Sequence, residues 1–202
     1  MRLTTIFLLS LALIIGIAAN TAKQGYAIGD KAMSFNLPDV TGEMVSPASM
    51  ADAKGFIVVF TCNHCPFSVK YEDRIIELNN AYAEKGYPVI AINPNDAKAY
   101  PSDSYEAMKE RAEAKGFTFP YLHDESQEVA KAYGATKTPH TFVVEKVEED
   151  LIVRYIGAID DDTNGADVGE TYVEAAVNAL IKGKKVKTKE TKAVGCSIKW
   201  KK

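Results

Sequence analysis

The stretch Phe56-Ile57-Val58-Val59-Phe60-Thr61-Cys62-Asn63-His64-Cys65-Pro66-Phe67 decides how this chain folds. Its first five residues are a continuous apolar run of strand length. Such a run suits a strand buried on both faces in the middle of a parallel sheet. From Phe67 onward the period changes. Phe67, Tyr71, Ile75, Leu78 and Tyr82 recur at three-to-four spacing, which predicts a helix, and Gly86 ends it. Two cysteines therefore sit where a buried strand gives way to a helix.

The flanking sequence extends the pattern. Residues 34–37 read as a short strand closed by Pro38, Asp39 and Gly42. Residues 88–92 read as a second buried strand. Ser102-Asp103-Ser104 opens a helix that stops near Gly116. Residues 119–122 are short and extended, and residues 127–133 form a short helix stopped by Gly134. Strands at 141–144 and 151–156, joined by the acidic turn Glu148-Glu149-Asp150, predict an antiparallel hairpin. Residues 172–181 form the last helix, with Val173, Ala176, Val177 and Leu180 on one face. Crossover helices imply parallel strands first, and the hairpin implies an antiparallel end. The expected class is α/β, a central mixed sheet flanked by helices on both faces.

The chain has 202 residues and a net charge of −3, with basic residues concentrated only near the C-terminus. That balance argues against a nucleic-acid or membrane-surface binder. Met1-Arg2 places a positive charge first, residues 6–19 are nearly all apolar, and small residues follow. This is the layout of an export signal, expected over residues 1–22 and cleaved after Ala19 or Ala22. The run is shorter than the ~20 residues of a membrane-spanning helix. An uncleaved N-terminal anchor is the alternative. Either way the domain over residues 23–182 is expected outside the cytosol and not embedded in a membrane. A Lys-rich tail over residues 183–202 follows.

The destination bears on the three cysteines, Cys62, Cys65 and Cys196. Outside the cytosol cysteines usually pair, and three leaves one over. A Cys-x-x-Cys loop is too short for its disulfide to constrain much of the unfolded chain. Reactivity explains the pair better. A helix N-terminus offers free N–H groups and a dipole that favour a thiolate. The spacing lets the second thiol attack a mixed disulfide on the first. His64 as a cation would lower the thiol pKa further, and Pro66 suits the first turn of a helix. Cys62 is the expected nucleophile, exposed near the helix end, and Cys65 the resolving thiol within the first turn. A zinc site stays open as an alternative. Beyond Cys62 and Cys65, only His64, His123, His140 and Cys196 could complete four ligands.

These motifs, with Thr138-Pro139 ahead of the strand at 141–144, resemble a known family. The chain is similar to thioredoxin-fold proteins of the peroxiredoxin-like and TlpA-like (AhpC/TSA-related) branch. The resemblance runs from Tyr26 to Ile181. It is carried by Ile28-Gly29-Asp30-Lys31 through Asp39 and Gly42, by Cys62-Asn63-His64-Cys65-Pro66, by residues 124–134 and by Thr138-Pro139. The ending Gly195-Cys196-Ser197-Ile198-Lys199-Trp200-Lys201 resembles one subgroup of peroxiredoxin-like proteins. The resemblance implies a thioredoxin-like fold, a cis Pro139 beside the cysteine pair, and a Thr138 backbone that binds an extended partner segment. No cofactor and no metal are expected. The His before the second cysteine is similar to the motif of the oxidant DsbA, which implies a low Cys62 pKa and a relatively oxidising couple.

Several positions depart from these relatives. Thr61 stands where thioredoxins carry Trp, and Phe56 stands where they place a buried acid. Glu72 and Asp73 read as solvated helix residues, and His123 and His140 as polar loop residues. The Thr that peroxiredoxins keep three residues before the reactive cysteine is missing, since Val59 precedes Cys62 by three. The expected activity is therefore thiol–disulfide exchange with thiol- or disulfide-bearing proteins and a redox donor that the sequence does not identify. Thiol-dependent peroxide reduction is the alternative, and a metal-binding or delivery module using Cys62, Cys65 and a His is the non-enzymatic one. Cys196 is a candidate third redox thiol, and Trp200 the expected packing anchor of the tail.

Overall fold

A computed structural model describes residues 25–202, so the expected signal lies outside the described residues. In chain order the elements are β1 (Lys31–Ala32), β2 (Leu37–Pro38), β3 (Met44–Val45), β4 (Gly55–Phe60), α1 (Pro66–Tyr82), β5 (Val89–Asn93), α2 (Tyr105–Lys115), β6 (Tyr121–His123), α3 (Glu128–Tyr133), β7 (Lys137–Thr138), β8 (His140–Val147), β9 (Asp150–Gly157), α4 (Tyr172–Ile181) and β10 (Cys196–Ser197). Six of the strands form one sheet in the order β1-β9-β8-β4-β5-β6. β4, β5 and β6 run parallel, while β8 and β9 are antiparallel to their neighbours.

Every residue of β4 is buried, which explains its unbroken apolar run. Alternate side chains feed two cores. Ile57 and Val59 face Tyr71, Ile75 and Leu78 of α1, Met108 of α2 and Val173 and Val177 of α4. Phe56, Val58 and Phe60 face Val129 and Tyr133 of α3 on the opposite side. The expected mixed sheet with helices on both faces is what forms. Gly55 lets β4 and β8 approach closely, because a Cβ there would lie 2.3 Å from the Val144 carbonyl oxygen. The register sets Phe60 opposite His140, which brings the ends of β4 and β8 together. Among the described residues no helix is long and apolar enough to cross a membrane.

The structure corrects several local expectations. Of residues 34–37 only Leu37 is in a strand, and the sheet edge is instead β1, paired with β9. Glu72 is buried, not solvated. Arg111 donates to both its oxygens at 2.7 and 2.8 Å, and Lys115 lies 3.3 Å away. Those cations come from α2, so the acid pins α1 to α2. Asp73 stays exposed, as expected. His123 and His140 are buried strand residues of β6 and β8.

His140 sets a pH dependence. Burial pushes its imidazole from 6.5 down to about 4. Between those values the unfolded chain takes up a proton that the native fold refuses. Stability is therefore full above pH 6.5 and falls as pH drops toward 4. Urea unfolding should show this group removing about 2 kcal/mol between pH 7 and pH 5. His140→Phe should flatten the pH profile by about that amount, and an unchanged profile would refute the assignment.

Candidate active site

The loop between β4 and α1 carries Cys62 and Cys65, and the segment entering β8 carries Thr138 and Pro139. The Thr138–Pro139 peptide bond is cis, as the resemblance implied. Thr138 is fully buried and touches both cysteines. The Cys65 thiol donates to its carbonyl oxygen at 3.1 Å, and the Cys62 thiol to its Oγ1 at 3.4 Å. Cys65 is the residue just before α1 and Cys62 lies three further out, so neither is inside the first helical turn. The expected difference in exposure is also small. Cys62 is 2% exposed and Cys65 0%, because Thr138 packs on both sulfurs.

A further residue joins them from 40 positions beyond Asn63. Asp103, read in the sequence only as part of a helix start, is fully buried. Its carboxylate accepts from the Asn63 amide at 2.8 Å, the His64 amide at 3.1 Å and Asn95 Nδ2 at 2.8 Å. His64 Nδ1 also contacts it closely. The His64 ring stacks on Tyr100, with centroids 4.8 Å apart, and its Nδ1 is 3.9 Å from the Cys62 sulfur. With Nδ1 turned to Asp103, that nitrogen carries its proton toward the carboxylate rather than toward Cys62. No spacing rule links Asp103 to the motif, so the sequence offered no signal for it.

The electrostatics follow from these contacts. The Cys62 thiol is pushed up, first by its hydrogen bonding with the Cys65 thiol, then by burial and the Asp103 charge. Hydrogen bonding with the Cys62 thiol, and then with the Cys196 thiol, pulls the Cys65 thiol down against its burial. No side-chain cap hydrogen bond closes at Cys65, yet the Ser68 amide in the first turn of α1 pulls the same way. The two thiols interact, so the loss of one proton makes loss of the second costly, and the Cys65 hydrogen bond to the Thr138 carbonyl needs the proton on Cys65. Burial and the Asp103 charge oppose the low pKa expected at Cys62.

The tail returns to this site. Cys196 of β10 pairs with Thr138 of β7, with Ser197 opposite Lys137. Ile198 is buried at 4% exposure, whereas Trp200 is 39% exposed, so Ile198 rather than Trp200 anchors the tail. Ligand atoms of Cys62, His64 and Asp103 lie within 4.8 Å of one another and could hold a metal ion.

Comparison with known proteins agrees with this geometry. The AhpC/TSA family matches residues 28–156, well over half the chain. The chain belongs to the AhpC/TSA family. Its fold is the thioredoxin-like one. Among relatives of this AhpC/TSA chain, the thiol–disulfide oxidoreductase ResA of Geobacillus thermodenitrificans is 30% identical, over 72% of this chain and 80% of that one. A protein of Mycobacterium tuberculosis, named among the peroxiredoxins, is 30% identical over 53% of this chain, which spans 63% of its length. The crystal structure of an uncharacterized conserved protein of Geobacillus kaustophilus is 42% identical, with a TM-score of 0.80 over 87% of this chain and 93% of that one. The family thus joins thiol–disulfide oxidoreductases with peroxiredoxin-like proteins, which supports an oxidoreductase activity in general.

Asp103 opposes a thiolate at Cys62. Asp103→Asn should shift the pH profile of Cys62 alkylation to lower pH by about one unit, the scale of one nearby buried charge. A shift in the opposite direction would mean that Asp103 acts mainly through His64.

Proposed function

We propose that the chain is an exported thiol–disulfide oxidoreductase that exchanges a Cys62–Cys65 dithiol with disulfides of partner proteins. The observation that carries this reading is the contact of Thr138 with both sulfurs of the Cys62–Cys65 pair. Export rests on the layout of residues 1–22, with residues 23–182 as the working domain.

In the forward direction Cys62 attacks one sulfur of a partner disulfide. Its proton passes to solvent, since Phe56 stands where a buried acid would accept it. The partner's other sulfur leaves as a thiolate and takes a proton from solvent. Cys65 then attacks the Cys62 sulfur, and the second partner thiol leaves with the Cys65 proton. The dithiol is oxidised to a disulfide and the partner disulfide is reduced to two thiols. Thr138 and Pro139 position the pair and meet the partner segment, while His64 and Asp103 orient the loop.

Cys62→Ser should abolish turnover of a disulfide substrate, and Cys65→Ser should trap a covalent mixed disulfide visible on a non-reducing gel. Full activity in both variants would sink the proposal. An anion held on the reduced pair stabilises that form, so the couple should lie above thioredoxin's roughly −270 mV in a glutathione buffer. Stoichiometric peroxide consumption with a sulfenic acid on a cysteine would instead favour the peroxidase reading.

The juxtaposition of Cys62, His64 and Asp103 supports a metal-binding reading as second choice. Reduced protein that gains no thermal stability on adding zinc or copper removes it.

A further inference from the structure

We infer that the C-terminal strand is a built-in substrate segment: β10 occupies the edge beside Pro139 where a partner's extended chain would pair, and Cys196 exchanges into the Cys62–Cys65 disulfide through Cys65. The inference rests on the redox reading above and names an internal partner for that site.

The pairing puts Cys196 directly opposite Thr138. The approach is very close at Gly195, where a Cβ would lie 2.2 Å from the Thr138 carbonyl oxygen. That same oxygen receives the Cys65 thiol, so the strand carries Cys196 to the group that holds Cys65. Residues beyond Cys196 fix the strand without any covalent bond. The Ile198 amide donates to the Thr136 carbonyl at 3.2 Å, and the Lys199 amide to Asn95 Oδ1 at 2.9 Å. The Lys199 carbonyl accepts from the Asp96 amide and Gln127 Nε2, each at 2.9 Å.

The β10–β7 pairing holds Cys196 beside the Thr138 carbonyl that receives Cys65, and Lys137 and Lys199 place positive charge near it. The Cys196 thiolate, its proton lost to solvent, then attacks the Cys65 sulfur. The Cys65–Cys196 bond forms, the Cys62–Cys65 bond breaks, and Cys62 leaves as a thiolate that takes up a proton. One disulfide and one thiol are present before and after, so no external oxidant is needed. A cysteine-bearing peptide must displace β10 to reach the same edge.

The full chain carrying Cys62→Ser tests this. It is oxidised with oxidised glutathione, its free thiols are blocked, and it is digested with trypsin. Cys65 falls on residues 55–70 and Cys196 on residues 193–199. The expected product is these two peptides joined by a disulfide, from protein that runs as a monomer. Adding Gly195→Ala should displace the strand and cut that product about tenfold or more, as the tethered thiol loses its high local concentration. Glutathione adducts or free thiols in place of the joined peptides would overturn the inference, as would equal joining in the double variant. Wild-type protein in the same buffer separates the two claims. A wild type that forms a reversible Cys62–Cys65 bond, beside a single variant that joins nothing, removes only the tail's role. A wild type without that bond removes the redox reading itself.

Discussion

The hydrogen bond from the Cys65 thiol to the Thr138 carbonyl, at 3.1 Å, joins two parts of the chain that lie 73 residues apart. It depends on the register of the central sheet. Phe60 opposite His140 brings the loop after β4 and the segment before β8 to one end. Once there, Thr138 uses its hydroxyl on Cys62, its carbonyl on Cys65 and its backbone pairing on Cys196. A one-residue slip of β8 would turn its side chains to the other face of the sheet. The alternating burial in two cores opposes that slip, since Phe142 and Val143 belong to different cores. The packing of the sheet thus fixes where the thiols meet.

Asp103 imposes the second constraint. A buried carboxylate is costly without partners, and this one is satisfied by the two middle residues of the cysteine motif and by Asn95. The same contacts that hold the motif's backbone place a negative charge near Cys62. The helix end at Cys65 favours an anion. The two fields oppose each other across three residues, so the acidity of the pair is set by their balance.

The sequence made the architecture legible where a local pattern had a single cause. The run ending at Phe60 is apolar throughout because both faces of β4 are buried, and residues 172–181 form α4 as their spacing implied. Two-residue strands such as β1 and β10 carry no period to read, so they were not visible. Glu72 looked like a solvated helix position because its partner Arg111 is on another helix. Asp103 escaped for the same reason, since its role depends on a fold that returns it to residues 63 and 64. The polarity of His123 and His140 suggests loops, but strands β6 and β8 bury them. The cysteines and the Thr138-Pro139 step were legible because their chemistry and spacing are local, whereas the charge distribution among them is a property of the assembled site.

That distribution also bears on how the fold handles electrons. Two buried thiols and the half-buried Cys196 share one corner, and each raises or lowers the others. Repulsion in a poorly solvated site makes a second anion costly. The first proton lost therefore governs the reduced state, and whatever stabilises that anion also stabilises the dithiol against its disulfide. Neighbouring S–H donors and the end of α1 act in that sense, while Asp103 acts against it. The redox poise is accordingly a balance between a helix terminus adjacent in sequence and a carboxylate remote from it. Substitutions near residue 103 can then retune the couple without altering either cysteine or the strand that presents them.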